Sequence, residues 1–143
     1  MSKVYENLVD AMNNNELEKF FETDPQYAAI DTGMRGEQFC IDYYGMASAT
    51  NKYIVDNPDK KEMVQTAIMN VLRKSQIGSI IAILEMTAYQ LRYKKDLGFL
   101  SLEILKELKK QISLNKVHFD SKEIDMYQKL NEQAFNNSGK RFM

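Results

Sequence analysis

The strongest structural signal in the chain is QIGSIIAILEMTAYQLRY, residues 76–93. Its apolar and small side chains recur every three or four residues and spread around most of a helical circumference. They are Ile77, Ile80, Ile81, Ile83, Leu84, Thr87, Ala88 and Leu91. A surface helix carries only one apolar stripe, so this pattern predicts a helix at the centre of a core. The most apolar part, 77–84, is far shorter than the roughly 20 residues that cross a bilayer, so we expect no membrane span.

The segments on both sides of this helix also carry apolar residues at helical spacing. Further helices are predicted to begin near Val4, Leu17, Pro25, Gly36, Pro58, Ser101 and Asp120. The helix after Pro58 has a wide apolar stripe, composed of Met63, Val64, Ala67, Ile68, Val71 and Leu72. We therefore predict an all-α fold. It is a single globular domain, 1–143, of about seven or eight antiparallel helices, whose successive pairs can stack as in a solenoid.

Helix boundaries are marked by prolines, glycines and short polar turns. Both prolines, Pro25 and Pro58, stand at helix starts, where a missing N–H breaks no hydrogen bond. Side-chain caps are predicted at Asn15, Ser101 and Asp120. Helix ends are predicted at Asn13-Asn14-Asn15, Gly33, Asp96-Leu97-Gly98 and Asn137-Ser138-Gly139. The last of these predicts a flexible tail over 139–143.

The composition is that of an ordinary globular protein, with 44% hydrophobic and 27% charged residues. A chain of 143 residues buries enough surface to fold without a disulfide or a metal. The single cysteine, Cys40, cannot form an internal disulfide, and the N-terminus lacks the apolar stretch of a secretory signal. We therefore expect a cytoplasmic protein.

The chain holds few residues suited to catalysis, because it has one histidine and one cysteine. His118 could act as a base with Asp120 as its orienting partner. No nucleophile motif accompanies them, so a loop histidine with ordinary hydrogen bonds is the better interpretation. Cys40 falls in an apolar stripe with no basic neighbour within one turn, which favours a buried and unreactive thiol. We predict no enzymatic activity and no cofactor.

Some residues resemble an anion-binding site only superficially. Gly33 and Gly36 precede a helix, but the Gly-Lys-Ser/Thr ending of a phosphate loop is absent. Arg92, Lys94 and Lys95 lie at a helix end, where cations complement the helix dipole. Ion pairs at i,i+3 are available among Glu103, Lys106, Glu107, Lys109 and Lys110. The pI is near 5.9, so nucleic acid is not an expected partner.

Charge is divided unevenly along the chain, whose formal net charge is −1. Residues 1–63 contain twelve acidic and six basic residues, whereas 64–143 contain eight acidic and thirteen basic residues. We predict that the densest acidic run forms one partner-binding face, on a hairpin of the second and third helices. The residues of this face are Glu16, Glu18, Glu22, Asp24, Tyr27 and Asp31.

Glu18 and Glu22 are one helical turn apart and could share a divalent ion. Metal sites of this kind need more oxygen ligands at defined spacing, so a solvated acidic face is the better interpretation. Charge reversal of this pair is expected to weaken partner binding and to leave the fold intact.

These observations favour a binding role. Eight tyrosines and an acidic face suit a non-enzymatic helical module that binds a basic protein, as small inhibitors of the immunity or antitoxin type mask their targets. The alternative is a domain that binds a small molecule or regulates through one, in a pocket of adaptable methionines. The candidate lining residues are Met12, Met34, Met46, Met63, Met69 and Met86. An enzyme that uses carboxylates or tyrosine is the third class, and the oligomeric state is open.

Overall fold

The computed structural model describes residues 3–22, 37–119 and 121–141, and every regular element in these ranges is a helix. Their α-helices are α1 (Lys3–Asn13), α2 (Leu17–Phe21), α3 (Glu37–Asp56), α4 (Lys61–Arg73), α5 (Ile77–Tyr89), α6 (Leu102–Leu114) and α7 (Ser121–Arg141). The shorter helices are two 3₁₀ turns, Pro58–Lys60 and Lys116–His118, and one π-helical turn, Gln90–Lys94. The all-α class is confirmed, and the helices form one compact domain.

The helices pack in two layers that alternate along the chain. In the first layer α1, α3, α5 and α7 contact one another in that order, and in the second layer α2, α4 and α6 do the same. Contacts between α1 and α2 and between α6 and α7 join the two layers. Helix pairs stacked in this way are typical of solenoids, in agreement with the pairing that the sequence suggested.

α5 lies at the centre of the core, as predicted. It is flanked by α3 and α7 within its own layer and is contacted by α6 from the other. Ile80, Ile83, Leu84 and Met86 are completely buried, and every residue from 78 to 84 is buried. Neighbours on three sides leave almost no helical face for water, which explains why apolar residues surround this helix.

α1 ends at the run of asparagines, as predicted, but Asn15 does not cap α2. Asn15 adopts a left-handed conformation with φ of 57°, and the Glu16 backbone N–H donates to the Ala11 carbonyl at 2.8 Å. This bond pattern closes a helix C-terminus, and asparagine enters the left-handed region more readily than most residues. The residue before α2 is Glu16, whose side chain makes no capping bond. The cap predicted at Asn15 is wrong because that residue ends α1 instead.

The predicted boundary at Asn57-Pro58 is confirmed. α3 ends at Asp56, and Pro58 opens the 3₁₀ turn that leads into α4. The buried residues of α4 are Val64, Ala67, Ile68, Val71 and Leu72. Met63 was expected in this stripe, but 47% of it is exposed. The buried face is centred on Val64 and Ile68, so Met63 falls at its edge.

The helix predicted over 76–93 is α-helical only to Tyr89 and then widens into the π-helical turn. Lys95 ends this turn in a left-handed conformation, φ 58°, and Gly98 is also left-handed at 54°. Buried Gln90 holds the following loop, because its Nε2 donates to the Asp96 carbonyl at 3.2 Å. Its Oε1 accepts from Asn51 Nδ2 of α3 at 2.5 Å. The break predicted at Asp96-Leu97-Gly98 is confirmed.

α6 begins at the predicted cap, since Ser101 Oγ accepts from the Ile104 backbone N–H at 3.2 Å. Its buried face also includes the polar residues Glu107 and Gln111, and the buried Asn115 follows its last turn. Gln111 Nε2 donates to Glu107 Oε2 at 2.8 Å, and Arg73 Nε of α4 lies 3.9 Å from the same carboxylate. Glu107 was expected to pair with neighbouring lysines on the surface. Instead it is buried, with Gln111 of its own helix and Arg73 of α4 as partners.

Among the predicted helices and caps, the helix from Pro25 to Gly33 and the cap at Asp120 lie outside the described residues. The predicted end of the last helix at Asn137-Ser138-Gly139 is wrong, because α7 continues to Arg141. Asparagine and glycine lower helix propensity by up to about 1 kcal/mol per residue, which weakens a helix without forbidding it.

A cluster of three side chains joins α1 to α3 and makes part of the stability of the fold depend on pH. It consists of Tyr5, Lys52 and Asp56. Tyr5 donates its hydroxyl to Asp56 Oδ2 at 2.8 Å, and Lys52 Nζ lies 2.9 Å from the same oxygen. The hydrogen bond from Lys52, followed by that from Tyr5, holds the pKa of the Asp56 carboxyl below its ordinary value. The stability that Asp56 contributes is therefore complete above the ordinary pKa of an aspartate. It is lost as the pH falls through the lowered folded-state value.

We expect carboxyl NMR titration to give an Asp56 pKa below that of a free aspartate, and Tyr5→Phe to raise it because one donor is lost. The stability difference between the natural chain and Asp56→Asn should shrink in acid. Asp125 is a matched control, since it pairs with Lys129 but accepts no hydrogen bond from a tyrosine within the described residues. An Asp56 pKa unchanged by Tyr5→Phe would contradict the prediction.

Candidate functional site: an acidic groove between α2 and α4

A groove of about 810 Å³ opens at the edge of the second layer, between α2 and α4. Its apolar lining includes Met12, Leu17, Met63 and Ala67. Its acidic residues are Glu16, Glu18, Glu22, Asp59 and Glu62, and its basic residues are Lys19 and Lys74. Five carboxylates against two ammonium groups leave three negative charges. We call this surface the acidic groove.

The groove exists because α2 is much shorter than α4. Five residues give α2 a length of about 8 Å, whereas the thirteen of α4 span about 20 Å. Asn70 Nδ2 donates to Glu18 Oε2 at 3.0 Å, so α2 lies beside the C-terminal half of α4. The opposite end of the groove is lined by Asp59, Glu62 and Met63, at the start of α4.

Two of the carboxylates, those of Glu18 and Glu22, form ion pairs with Lys74 of the same chain. Lys74 Nζ lies 3.4 Å from Glu18 Oε1 and also contacts Glu22 Oε1. The hydrogen bond to Glu22, and then that to Glu18, raises the pKa of the Lys74 ammonium. The position where the Glu18–Glu22 pair could have held a divalent ion is thus taken by Lys74. Charge reversal of this pair would set three lysines together and loosen α2 from α4, so it would not leave the packing intact.

The other carboxylates carry negative charge that is less fully balanced. Glu16 Oε1 lies 3.7 Å from Lys19 Nζ, and both side chains are largely exposed. Asp59 and Glu62 are exposed and form no ion pair with any residue in the described ranges. The open end of the groove therefore combines two carboxylates that are unpaired within the described residues with the exposed residue Met63.

The structure places only some residues of the predicted partner-binding face in the groove. Glu16, Glu18 and Glu22 line the groove, whereas Asp24, Tyr27 and Asp31 lie outside the described residues. Asp59 and Glu62 were not predicted as part of this face, and Met63 was predicted only as a lining residue of a small-molecule pocket. Their spacing after Pro58 places them near one another, with Asp59 in the 3₁₀ turn and Glu62 and Met63 in the first turn of α4. The sequence does not reveal that α2 packs beside them.

The other candidate residues contribute less to a site. The side chains of Cys40 and His118 are not among those described. Met12 and Met63 line the groove, but Met86 is completely buried in the core, and Met46 and Met69 pack against it. Met34 lies outside the described ranges. Within these ranges no group of three or more His, Cys, Asp or Glu could hold a metal ion.

None of the described helices combines sufficient length with sufficient apolar character to cross a bilayer. No known protein family, curated protein or solved structure shows significant similarity to this chain.

Proposed function

We propose that this chain is a non-enzymatic helical module that binds a basic segment of another protein in the acidic groove. The observation that carries the proposal is the meeting of an apolar floor with five carboxylates, two of which have no ionic partner among the described residues. Covering a basic surface in this way would inhibit a partner that uses it, as immunity proteins and antitoxins do. The proposal needs no cofactor.

The composition of the groove specifies the chemistry of the bound segment. Carboxylates on both sides favour lysine or arginine, and they speed encounter with a basic surface. The methionine thioethers are flexible and polarisable, so Met12 and Met63 can adapt to an apolar anchor between those charges. A basic amphipathic helix or extended segment meets both requirements. We further propose a cytoplasmic location, which the presence of a single cysteine in the sequence supports.

A small cationic molecule is the second candidate ligand. A volume of about 810 Å³ falls within the range of known small-molecule pockets, roughly 300–1,000 Å³. The carboxylates would then bind amines and the apolar floor would contact an alkyl chain. A polyamine tested by thermal shift distinguishes this candidate, because it should raise the melting temperature without any protein partner.

We expect Asp59→Asn with Glu62→Gln to weaken binding of a fluorescent amphipathic peptide of leucine and lysine by about tenfold or more at low salt. Within the described residues these two side chains form no hydrogen bond, so the fold should persist. Glu103→Gln with Glu132→Gln is the matched control, because both residues are exposed on α6 and α7. Fluorescence anisotropy measures affinity, and thermal melts verify folding.

The same variants test the biological partner. A basic protein captured from native lysate by the natural chain should be retained by the control variant and lost with the groove variant. Equal binding of the peptide to all three proteins, with no basic protein lost from the groove variant, would overturn the proposed function.

A further inference from the structure

A second charged surface lies at the C-terminal end of α5, on the π-helical turn. Three tyrosine rings contact one another there. Their centroids are separated by 5.6 Å for Tyr44–Tyr89, 5.6 Å for Tyr44–Tyr93 and 5.3 Å for Tyr89–Tyr93. Arg92 Nη1 donates to the Tyr44 hydroxyl, which fixes the guanidinium beside the rings. We call Tyr44, Tyr89, Arg92, Tyr93, Lys94 and Lys95 the tyrosine-basic patch.

This patch is exposed and positively charged. Tyr93 is 63% exposed, and Arg92, Lys94 and Lys95 are also exposed. Lys94 and Lys95 form no ion pair with a residue of the described chain. Asp96 offsets one of the three positive charges, and its Oδ1 lies 3.4 Å from Gln90 Nε2. Tyrosine and arginine are the residues that most often dominate the energy of protein interfaces.

We propose that the tyrosine-basic patch of one copy of this chain docks into the acidic groove of a second copy. The proposal rests on the proposed function, because it takes the groove as the site for a basic segment. The patch offers what the groove requires, namely unpaired lysines near a tyrosine that can reach an apolar floor. The groove offers Asp59 and Glu62, which are equally unpaired within the described residues, and the exposed Met63.

Such docking joins two different surfaces, so it is a head-to-tail contact. In a dimer, one copy keeps its groove unused and the other keeps its patch unused until the arrangement closes or extends. A copy whose groove is filled in this way cannot receive an outside partner there. Self-association would therefore hold the protein inactive at high concentration, and a tighter basic partner would displace the second copy.

Sedimentation velocity tests the self-association on the intact chain. We expect the average sedimentation coefficient to rise with protein concentration at about 50 mM salt. The association constant should fall at least about tenfold at about 300 mM salt, since exposed charges are then screened. A chain that sediments as a monomer at every concentration and both salt levels would overturn the proposal.

Charge exchange identifies the surfaces. The groove-reversed variant, Asp59→Lys with Glu62→Lys, and the patch-reversed variant, Lys94→Glu with Lys95→Glu, should each fail to self-associate. An equimolar mixture of the two should associate, because a positive groove then meets a negative patch. Matched controls are Glu103→Lys with Glu132→Lys and Lys109→Glu with Lys110→Glu, which change the same charges at exposed positions elsewhere. Circular dichroism and thermal melts establish that each variant is folded.

The outcomes separate this inference from the proposed function. Peptide binding to dilute protein without self-association would overturn docking between copies and leave the groove as a peptide site. Self-association that the charge exchange leaves unchanged would also overturn it. If a single-stranded oligonucleotide or an acidic peptide binds the patch while the chain stays monomeric, the patch serves a polyanion and the proposal is wrong.

Discussion

Replacing Gly98 by alanine should destabilise the fold by about 2–4 kcal/mol. A left-handed backbone costs a non-glycine residue about 1–2 kcal/mol. The added Cβ would also clash with Asn51 Oδ1 and Gln90 Nε2, so both side chains must move. Gln90 would then lose its hold on the loop that leads into α6, and a buried amide would lose hydrogen bonds worth about 1 kcal/mol each.

Urea denaturation of the purified protein measures this effect. Gly45→Ala is the matched control, because Gly45 lies inside α3 and a Cβ there meets no atom within 4 Å. That control should stabilise the protein by about 0.5–1 kcal/mol, since alanine favours helix. Equal stability of the two variants would contradict the prediction, because the loop that follows the π-helical turn would then not need glycine at position 98.

The second large effect is expected from Leu84→Ala in α5. Leu84 is completely buried in the central helix of the first layer. Removing its branched end costs the transfer free energy of the lost methyl groups and leaves a cavity that close-packed neighbours fill only in part. We therefore expect a loss of about 3–5 kcal/mol in the free energy of unfolding, a large share of the stability of a typical domain.

Leu114→Ala provides the same chemical change at the surface, because Leu114 at the end of α6 is 60% exposed. Its effect should stay within about 0.5 kcal/mol. Chemical denaturation of the three proteins gives the comparison. A Leu84→Ala variant as stable as Leu114→Ala would mean that α5 is not the packed centre of the domain.

The two-layer arrangement explains where the proposed binding surfaces lie. The acidic groove and the tyrosine-basic patch both occur where a helix is short or interrupted. α2 ends after five residues and leaves the start of α4 open, and α5 becomes a π-helical turn near its end. π-helical turns occur often at functional sites, because they change the direction of the side chains that follow.

The helices themselves were predictable because their signals are local. Apolar spacing identified α5 as central, Pro58 opens the turn that leads into α4, and Ser101 caps α6 as expected. One error arose where a residue had two local uses. Asn15 could cap α2 or end α1, and the choice depends on the backbone conformation that the α1–α2 contact requires.

Only the part of the acidic groove that α2 and the residues beside it contribute was predictable from the sequence. Glu16, Glu18 and Glu22 stand out in the sequence as an acidic run, and all three line the groove. Lys74 and Asp59 are far from them in sequence, so no local pattern relates them to α2. Their effects are opposite, because Lys74 neutralises part of the acidic run and Asp59 extends its negative charge to α4.

Local chemistry thus specified the helices, the central position of α5 and the acidic character of the N-terminal half, because helical periodicity and charge are properties of neighbouring residues. Packing alone decided which charges are free. Glu107 became buried against α4, Lys74 came to lie between two glutamates, and Glu62 kept its charge unpaired among the described residues. These outcomes depend on the alignment of helices separated by tens of residues, which is set when the two layers bury their apolar faces together.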